Sequence, residues 1–309
     1  MVTTMRYYKN NILGALGAVF ALMTAQHALA DTTSTTAEKP RTANELTQRY
    51  YNTTSTCDSD APAYMCSGVM LRVLGGYSDK YHAWDPSPFS VTSGATSFSY
   101  LRQDSKFGKL AFGYNSGLIL YPQQQAPQGT IKVTAKCYFP IDSDTALRSD
   151  SGCAEHSAYP DSSASCDQYG ITTADAWYSH YTSVTDSRRR HECGFYLDER
   201  VANAQARDNF YLALQSQQKL GSEGFSTQNE FRLTTWAANI PGQLPIQAFF
   251  YLANSEGLNN AQMYQKDYFN STGKFVPVVQ LTLPASMDQN AKFRFIPADQ
   301  AVDSDAATS

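Results

Sequence analysis

The chain has 309 residues, a formal net charge of −4 and a mean hydropathy of −0.41. Charged residues make up 17% of it and form no basic stripe, which argues against nucleic acids and anionic membranes as partners. It contains no glycine-rich dinucleotide fingerprint, P-loop, HExxH or GxSxG motif, which excludes the common kinase and hydrolase interpretations.

The first thirty residues have the three parts of a secretory signal peptide. Arg6 and Lys9 give a positive start, residues 12–25 form an apolar run, and Ala28-Leu29-Ala30 provides the small residues that signal peptidase selects. A membrane-spanning helix needs about 20 apolar residues, and this run is shorter. We therefore expect secretion through the periplasm, cleavage after Ala30, no stable membrane insertion and a mature net charge of −6.

The mature chain begins with residues 31–43, whose threonine-rich composition predicts a flexible leader. Asn44 is a cap for a short helix that follows. A loop is expected over residues 81–90 because of Pro86 and Pro88. Hydrophobic patterning predicts strands over residues 69–74, 97–101, 117–122, 131–139, 231–237, 245–253, 276–284 and 292–297.

Helical composition is found over residues 173–181, 202–218 and 257–269, and Gly273 ends the last of these helices. The order of elements predicts an α+β, sheet-dominated and mostly antiparallel fold, with helices set aside rather than alternating with strands. We expect one domain over residues 44–297 and a disordered tail over residues 298–309.

All six cysteines lie after the signal peptide, and an even number in an exported chain predicts disulfides. Six cysteines allow 15 pairings. Proximity in the chain favours Cys57–Cys66, Cys137–Cys153 and Cys166–Cys193, with a stapled loop region over residues 140–170. A zinc site that combines cysteines with His156 and His191 is the alternative, but there is no CxxC spacing, so no metal is expected.

Three features in chain order are candidates for chemistry: Arg72 within an apolar strand, Ser97 and Ser99 on the next strand, and Gln228 with Glu230 just before a later strand. Cleavage of the bond between nicotinamide and ribose needs such groups. An arginine neutralises a diphosphate, a strand hydroxyl holds the glutamate, and the glutamate stabilises the positive charge that develops on the ribose.

The remaining candidates have weaker roles. Gln228 lies two residues before Glu230 on the same face of a strand and can orient an acceptor. Trp84 is a candidate for stacking on nicotinamide or adenine, although it can equally fill the edge of the core. His82, in the same loop as Trp84, is a further candidate, whereas His180 and His191 are better explained as structural histidines.

The order Arg, Ser-x-Ser, Gln-x-Glu resembles the mono-ADP-ribosyltransferase toxins, which implies a core of their type. Seven stretches also resemble the halovibrin family: MCSGVMLR, YHAWDPSPFSV, SFSYLR, RRRHECGF, QNEFRLTTWA, PIQAFFY and TGKFVPVVQLTLP. This resemblance spans residues 44–285. Halovibrins are secreted bacterial NAD glycohydrolases and ADP-ribosyltransferases. The resemblance implies a toxin or host-interaction factor that consumes NAD as a substrate, needs no cofactor, and has water or a host protein as acceptor.

The pattern departs from the toxins in two respects: there is no literal Ser-Thr-Ser triplet, and the interval from Ser99 to Gln228 is longer than usual. The loop region with its cysteines would then be an insertion. Two other functions stay open. One is a non-enzymatic binding or envelope-associated protein. The other, ranked last, is a secreted hydrolase of polysaccharide or peptide, because no clear pair of catalytic carboxylates or triad is visible in the sequence.

Overall fold

A sheet of nine strands organises the part of the chain that the structure describes. The computed structural model describes residues 34–76, 82–145, 148–155, 164–183, 190–236, 243–253 and 255–302. Within them the strands are β1 (Val69–Leu74), β2 (Thr96–Leu101), β3 (Ser116–Leu120), β4 (Thr134–Phe139), β5 (Phe195–Tyr196), β6 (Glu230–Thr234), β7 (Ile246–Leu252), β8 (Val278–Thr282) and β9 (Lys292–Phe295). The α-helices are α1 (Ser34–Tyr51), α2 (Pro88–Ser93), α3 (Ala174–Tyr181), α4 (Asn203–Lys219), α5 (Ser222–Ser226) and α6 (Ser255–Thr272).

The strand order across the sheet is β5-β4-β6-β2-β1-β3-β7-β8-β9. Neighbouring strands are antiparallel except β7 and β8, which run parallel. A parallel pair needs a long crossover, which the 18-residue helix α6 provides. The prediction of an α+β, mostly antiparallel fold is confirmed, and α6 is the helix that departs from the expected segregation of helices and strands.

The two faces of the sheet carry different cores. Alternation along β6 places Phe231 and Leu233 in a large cluster with Trp177 of α3 and Phe210 of α4. On β1, β3 and β7 the opposite face packs against α1 through residues such as Leu46. On β6 that opposite face is polar. Because buried strand positions are normally apolar, the polar face of β6 is where a functional site is expected.

Strands β1 and β2 separate part-way along their length. Their ladder holds three residue pairs and ends at Leu71–Ser99, although β1 continues to Leu74 and β2 already begins at Thr96. Past this point β1 is still paired with β3, and the start of β2 is paired with β6. The sheet therefore opens between the two strands, and residues of both line a cleft there.

Helix α1 is longer than the sequence predicts. It begins at Ser34, so the prediction of a flexible leader is wrong for residues 34–43. The threonine-rich composition and Pro40 both disfavour a helix taken alone. The later turns of α1 bury Leu46 and Tyr50 in the core, and a helix nucleated by such packing can extend through a poor sequence.

The loop predicted over residues 81–90 is shorter than expected. Pro88 begins helix α2, and the hydroxyl of Ser87 caps that helix by accepting a hydrogen bond from the backbone of Ser90 at 3.1 Å. Proline at the first helical position loses no hydrogen bond, because the N–H there has no partner within the helix. The prediction was wrong because it treated Pro88 as a helix breaker.

The end of the domain is also more ordered than predicted. The amide of Gln300 donates to the carbonyl of Val278 and its oxygen accepts from the Val278 N–H, at 2.9 Å each. The backbone of Ala301 donates to Gln265 at 2.7 Å. The predicted tail is therefore part of the fold up to residue 302. Residues 303–309 and the predicted signal peptide lie outside the described residues. Of the described helices, none has the length and apolar character to cross a membrane.

All six cysteines form disulfides, in the pairing that chain proximity predicts: Cys57–Cys66, Cys137–Cys153 and Cys166–Cys193. The second bond ties β4 to the segment that follows it, and the third ties that region to the chain just before β5. The predicted disulfide-stapled loop region is confirmed.

We expect the double substitution Cys137→Ser with Cys153→Ser to lower the free energy of unfolding by about 3 kcal/mol, the value for a loop of about this length. Both cysteines are fully buried and 16 residues apart. Urea unfolding of the oxidised variant and of the wild type measures the difference. A loss below about 1 kcal/mol would show that this staple does not stabilise the fold.

Candidate functional site

Glu230 begins β6 and carries a buried carboxylate whose two oxygens both accept hydrogen bonds. Oε1 accepts from the hydroxyl of Ser97 at 2.5 Å and from the hydroxyl of Thr145. Oε2 accepts from the backbone N–H of Ser143 at 3.0 Å. Only 2% of Glu230 is exposed. The three donors compensate the carboxylate for lost water and hold it in one orientation.

Strand register explains how these distant residues meet. Gln228, Glu230 and Arg232 are spaced by two residues and so share one face of the extended chain. Ser97 of β2 lies directly opposite Arg232 of β6. Directly opposite residues of an antiparallel pair point to the same face, which places Ser97 beside Glu230.

Arg232 holds Ser97 from the other side. Its Nη1 donates to Ser97 Oγ at 2.7 Å, and Nε donates to the carbonyl of Ser151 at 3.0 Å. Ser97 accepts from Arg232 and donates to Glu230, so its hydroxyl has a fixed direction. Burial lowers the pKa of Arg232, and the negative charge of Glu230 opposes that shift. The Nη1 atom of Arg232 lies 3.9 Å from Oε1 of Glu230.

Gly152 is needed for the guanidinium to fit. The residue has a φ of +86°, and a Cβ placed on it would lie 2.6 Å from Nε of Arg232. Both facts favour glycine, because other residues rarely adopt this backbone conformation and any side chain would displace Arg232.

Glu230 lies in a cleft of about 240 Å³ at the opening between β1 and β2. Five of the six site residues predicted from the sequence line this cleft. The polar residues of its lining are Arg72, Ser90, Ser93, Thr96, Ser97, Ser99, Asp142, Asp144, Thr145, Gln228, Glu230 and Arg232.

Gln228 is tied to one wall of the cleft. Its Oε1 accepts a hydrogen bond from the backbone of Ala111 at 3.1 Å, at the start of a turn that carries Phe112 and Tyr114. Those two aromatic side chains are 78% and 39% exposed and also line the cleft. Gln228 therefore positions an aromatic rim, a feature that the sequence analysis missed.

Arg72 borders the cleft from the other face of the sheet. It lies on the same face of β1 as Met70 and Leu74, which pack against the large core cluster. Glu230 projects from the opposite face of the sheet, away from that cluster. The two charged groups can line one cleft because β1 and β2 have separated there.

Trp84 is not among the residues that line the cleft in the described ranges. Its ring stacks on His82 at 4.7 Å between centroids and meets the edge of Tyr268 of α6 at 4.8 Å. His82 is paired in turn with Asp267, also of α6, at 2.9 Å. Trp84 therefore fills the edge of the core, which is the alternative that the sequence left open.

Asp142 brings a second carboxyl group to the cleft. Burial, together with the negative charge of Glu230, raises the pKa of Asp142 to about 7. A carboxyl group that titrates near neutral pH can donate or accept a proton during a reaction. The sequence contained no signal for this residue, because Asp142 is one of many acidic residues in the stapled loop region.

A larger cavity of about 350 Å³ lies elsewhere, around the turn between β3 and β4. Its lining is mainly apolar. Among the described residues Lys132 is its charged side chain, and no carboxylate or imidazole lines it. Size alone does not make a catalytic site, so the smaller cleft with Glu230 is the better candidate.

We expect Asp142→Asn to stabilise the protein at pH 8 but not at pH 4. The pKa of this group rises from 3.8 to about 7 on folding, so the native state binds more protons between these values and loses stability as pH rises. Asparagine removes that loss. Thermal unfolding should show a melting temperature raised by about 3 °C or more at pH 8, which corresponds to about 1 kcal/mol.

The control for Asp142→Asn is the wild type, unfolded at both pH values in the same buffers. An equal shift at both pH values for Asp142→Asn would contradict the assigned pKa.

No protein-family model matches the chain, and no curated protein sequence is similar to it.

Proposed function

We propose that this protein is a secreted enzyme that cleaves the nicotinamide–ribose bond of NAD, as a glycohydrolase or a mono-ADP-ribosyltransferase. The observation that carries the proposal is the held carboxylate of Glu230 at the cleft, with the hydroxyl of Ser97 bonded to it. This is the arrangement that stabilisation of a positively charged ribose requires, and it joins residues that lie 133 positions apart.

In the proposed reaction the bond between ribose C1′ and the nicotinamide nitrogen breaks, and its electron pair leaves with nicotinamide. Nicotinamide loses its ring charge as C1′ becomes an oxocarbenium-like centre. Glu230 binds a ribose hydroxyl and stabilises the positive charge, as carboxylates do in glycoside hydrolysis. Water or a protein side chain then bonds to C1′ and releases a proton, for which Asp142 is the nearby acceptor candidate in the cleft.

The two arginines of the cleft have different proposed roles. Four N–H groups of Arg232 donate to protein oxygens, so this residue acts by positioning Ser97 rather than by binding substrate. Arg72 is the candidate for the diphosphate, because it borders the same cleft and a guanidinium matches phosphate geometry. Phe112 and Tyr114 replace Trp84 as the surfaces on which an aromatic ring of NAD stacks.

Export fits this function. Three disulfides favour an oxidising compartment. Little NAD is free outside cells, so an exported NAD-cleaving enzyme acts at or inside another cell, as a toxin or host-interaction factor. Transfer of labelled ADP-ribose from NAD to added host proteins, compared with release of free ADP-ribose, distinguishes transferase from glycohydrolase.

A second candidate is a glycoside hydrolase acting on polysaccharide. Asp142 and Glu230 line one cleft, and a carboxyl group with a raised pKa beside a second carboxylate is the pairing such enzymes use. Release of reducing sugar without release of nicotinamide would favour this candidate. Binding of NAD without release of either product would favour the non-enzymatic binding protein.

We expect Glu230→Gln to lower the rate of nicotinamide release from NAD by about 100-fold or more, because a positioned charge at the reacting centre is lost. The assay uses purified, oxidised mature protein. Glu256→Gln, an exposed position on α6, is the control and should keep the wild-type rate. If the wild type releases no nicotinamide the proposed activity is wrong, and if Glu230→Gln releases it at the wild-type rate the site is wrong.

We expect Ser97→Ala to lower kcat for nicotinamide release by about 10-fold with little change in KM. Loss of a hydrogen bond to a charged group costs about 1.5–3 kcal/mol, and here it frees the carboxylate to reorient. Ser116→Ala is the control, because Ser116 is also a strand serine and its fully buried hydroxyl has no hydrogen-bond partner among the described residues. Equal effects of the two substitutions would show that Ser97 acts only through stability.

A further inference from the structure

Away from the cleft, a carboxylate and two imidazoles meet beside the Cys166–Cys193 disulfide. One ligand atom from each of Glu155, His180 and His191 lies within 4.8 Å of the others. His191 Nδ1 is 2.5 Å from Glu155 Oε1, and His180 Nε2 is 3.2 Å from the same oxygen. The three residues come from separate segments, so the fold rather than local sequence brings them together.

We propose that Glu155, His180 and His191 bind one divalent transition-metal ion, with Zn²⁺ as the best match. Imidazole nitrogen and carboxylate oxygen are ligands that zinc prefers, at about 2.0–2.2 Å. Two such ligands of a tetrahedral ion lie about 3.3 Å apart. The separation of His180 Nε2 and Glu155 Oε1 already matches this value. A shift of the carboxylate by under about 1 Å away from His191 would bring the separation of His191 Nδ1 and Glu155 Oε1 to the same value.

Burial supports a built site rather than a chance surface cluster. Glu155 is 2% exposed, and the hydroxyl of Tyr169 donates to its Oε2 at 2.8 Å. Metal-binding carboxylates are commonly held in this way by a hydrogen bond from a neighbouring residue. The backbone N–H of Glu155 also donates to the carbonyl of Ala164 at 3.0 Å, which fixes the segment that carries the carboxylate.

The nitrogen of His180 is the second observation that indicates a ligand. Nε2 is buried, and although it lies 3.2 Å from Glu155, no hydrogen bond of acceptable geometry reaches it from the described residues. A buried polar atom whose contact is poorly aligned recovers only part of the free energy that it loses on leaving water. A metal ion placed between Nε2 and the carboxylate would satisfy it.

The proposed ligand set differs from the zinc site that the sequence raised. That alternative needed cysteine thiolates, and all six cysteines are in disulfides. His156, its other member, lies outside the described residues. The new set keeps His191 and replaces the cysteines with Glu155 and His180.

A bound ion would join α3 to the segments on either side of it and would reinforce the region near Glu230. Ala154 and Glu192, the chain neighbours of Glu155 and His191, both have carbonyls that accept from Arg148. Arg148 also donates to the carbonyl of Ser143, whose N–H holds Glu230. The ion is thus assigned a structural role and does not take part in the chemistry.

The test measures metal binding by the oxidised mature protein, without a histidine tag and after dialysis against a chelator. We expect one equivalent of Zn²⁺ with micromolar or tighter affinity, and Co²⁺ in its place should give the strong visible bands of a four-coordinate ion. His180→Ala and His191→Ala should each weaken Zn²⁺ binding at least about 100-fold, and Tyr169→Phe about 10- to 100-fold.

His82→Ala is the matched control, because His82 also pairs with a carboxylate but is not part of the cluster. It should bind Zn²⁺ like the wild type. Absence of stoichiometric Zn²⁺ binding and of the Co²⁺ bands in the wild type would overturn the proposal, whether or not the variants fold. Equal weakening by His82→Ala and His180→Ala would also overturn it.

Discussion

The carboxylate of Glu230 stays buried because donors from two distant segments reach it. A carboxylate removed from water without partners costs far more free energy than a domain can spare. Ser97 comes from the neighbouring strand, while Ser143 and Thr145 come from the segment after β4. The separation of β1 and β2, the polar face of β6 and the glycine beside Arg232 all make room for this group. The cleft and the proposed chemistry depend on that arrangement.

Much of the fold was predictable because it follows from local pattern. Alternating and apolar runs placed eight of the nine described strands, and chain proximity identified all three disulfides. β5 was missed because two residues give no periodicity. The start of α1 was mispredicted because packing, and not residue type, decides whether that segment is helical. Pro88 was mispredicted because a proline at the first position of a helix does not break it.

The candidate site was predictable only where chemistry is tied to strand register. Arg72, Ser97, Ser99, Gln228 and Glu230 were selected for their chemistry and their order in the chain, and spacing by two residues placed Gln228 on the face of Glu230. Asp142, Thr145 and Arg232 were missed because a loop or a cross-strand contact brings them in, and neither leaves a pattern in the sequence. Trp84 shows the converse, since residue type favoured a ligand role and the fold uses the ring to cover the core.

The stapled segment after β4 is part of the proposed active site, and a comparison of the oxidised and reduced protein tests this. Nicotinamide release from NAD is measured for a single preparation of mature protein, first oxidised and then reduced with its thiols blocked. We expect cleavage by the oxidised protein and its loss on reduction, because Ser143 and Thr145 no longer hold Glu230. Equal rates in the two forms would show that the proposed site does not depend on the stapled segment.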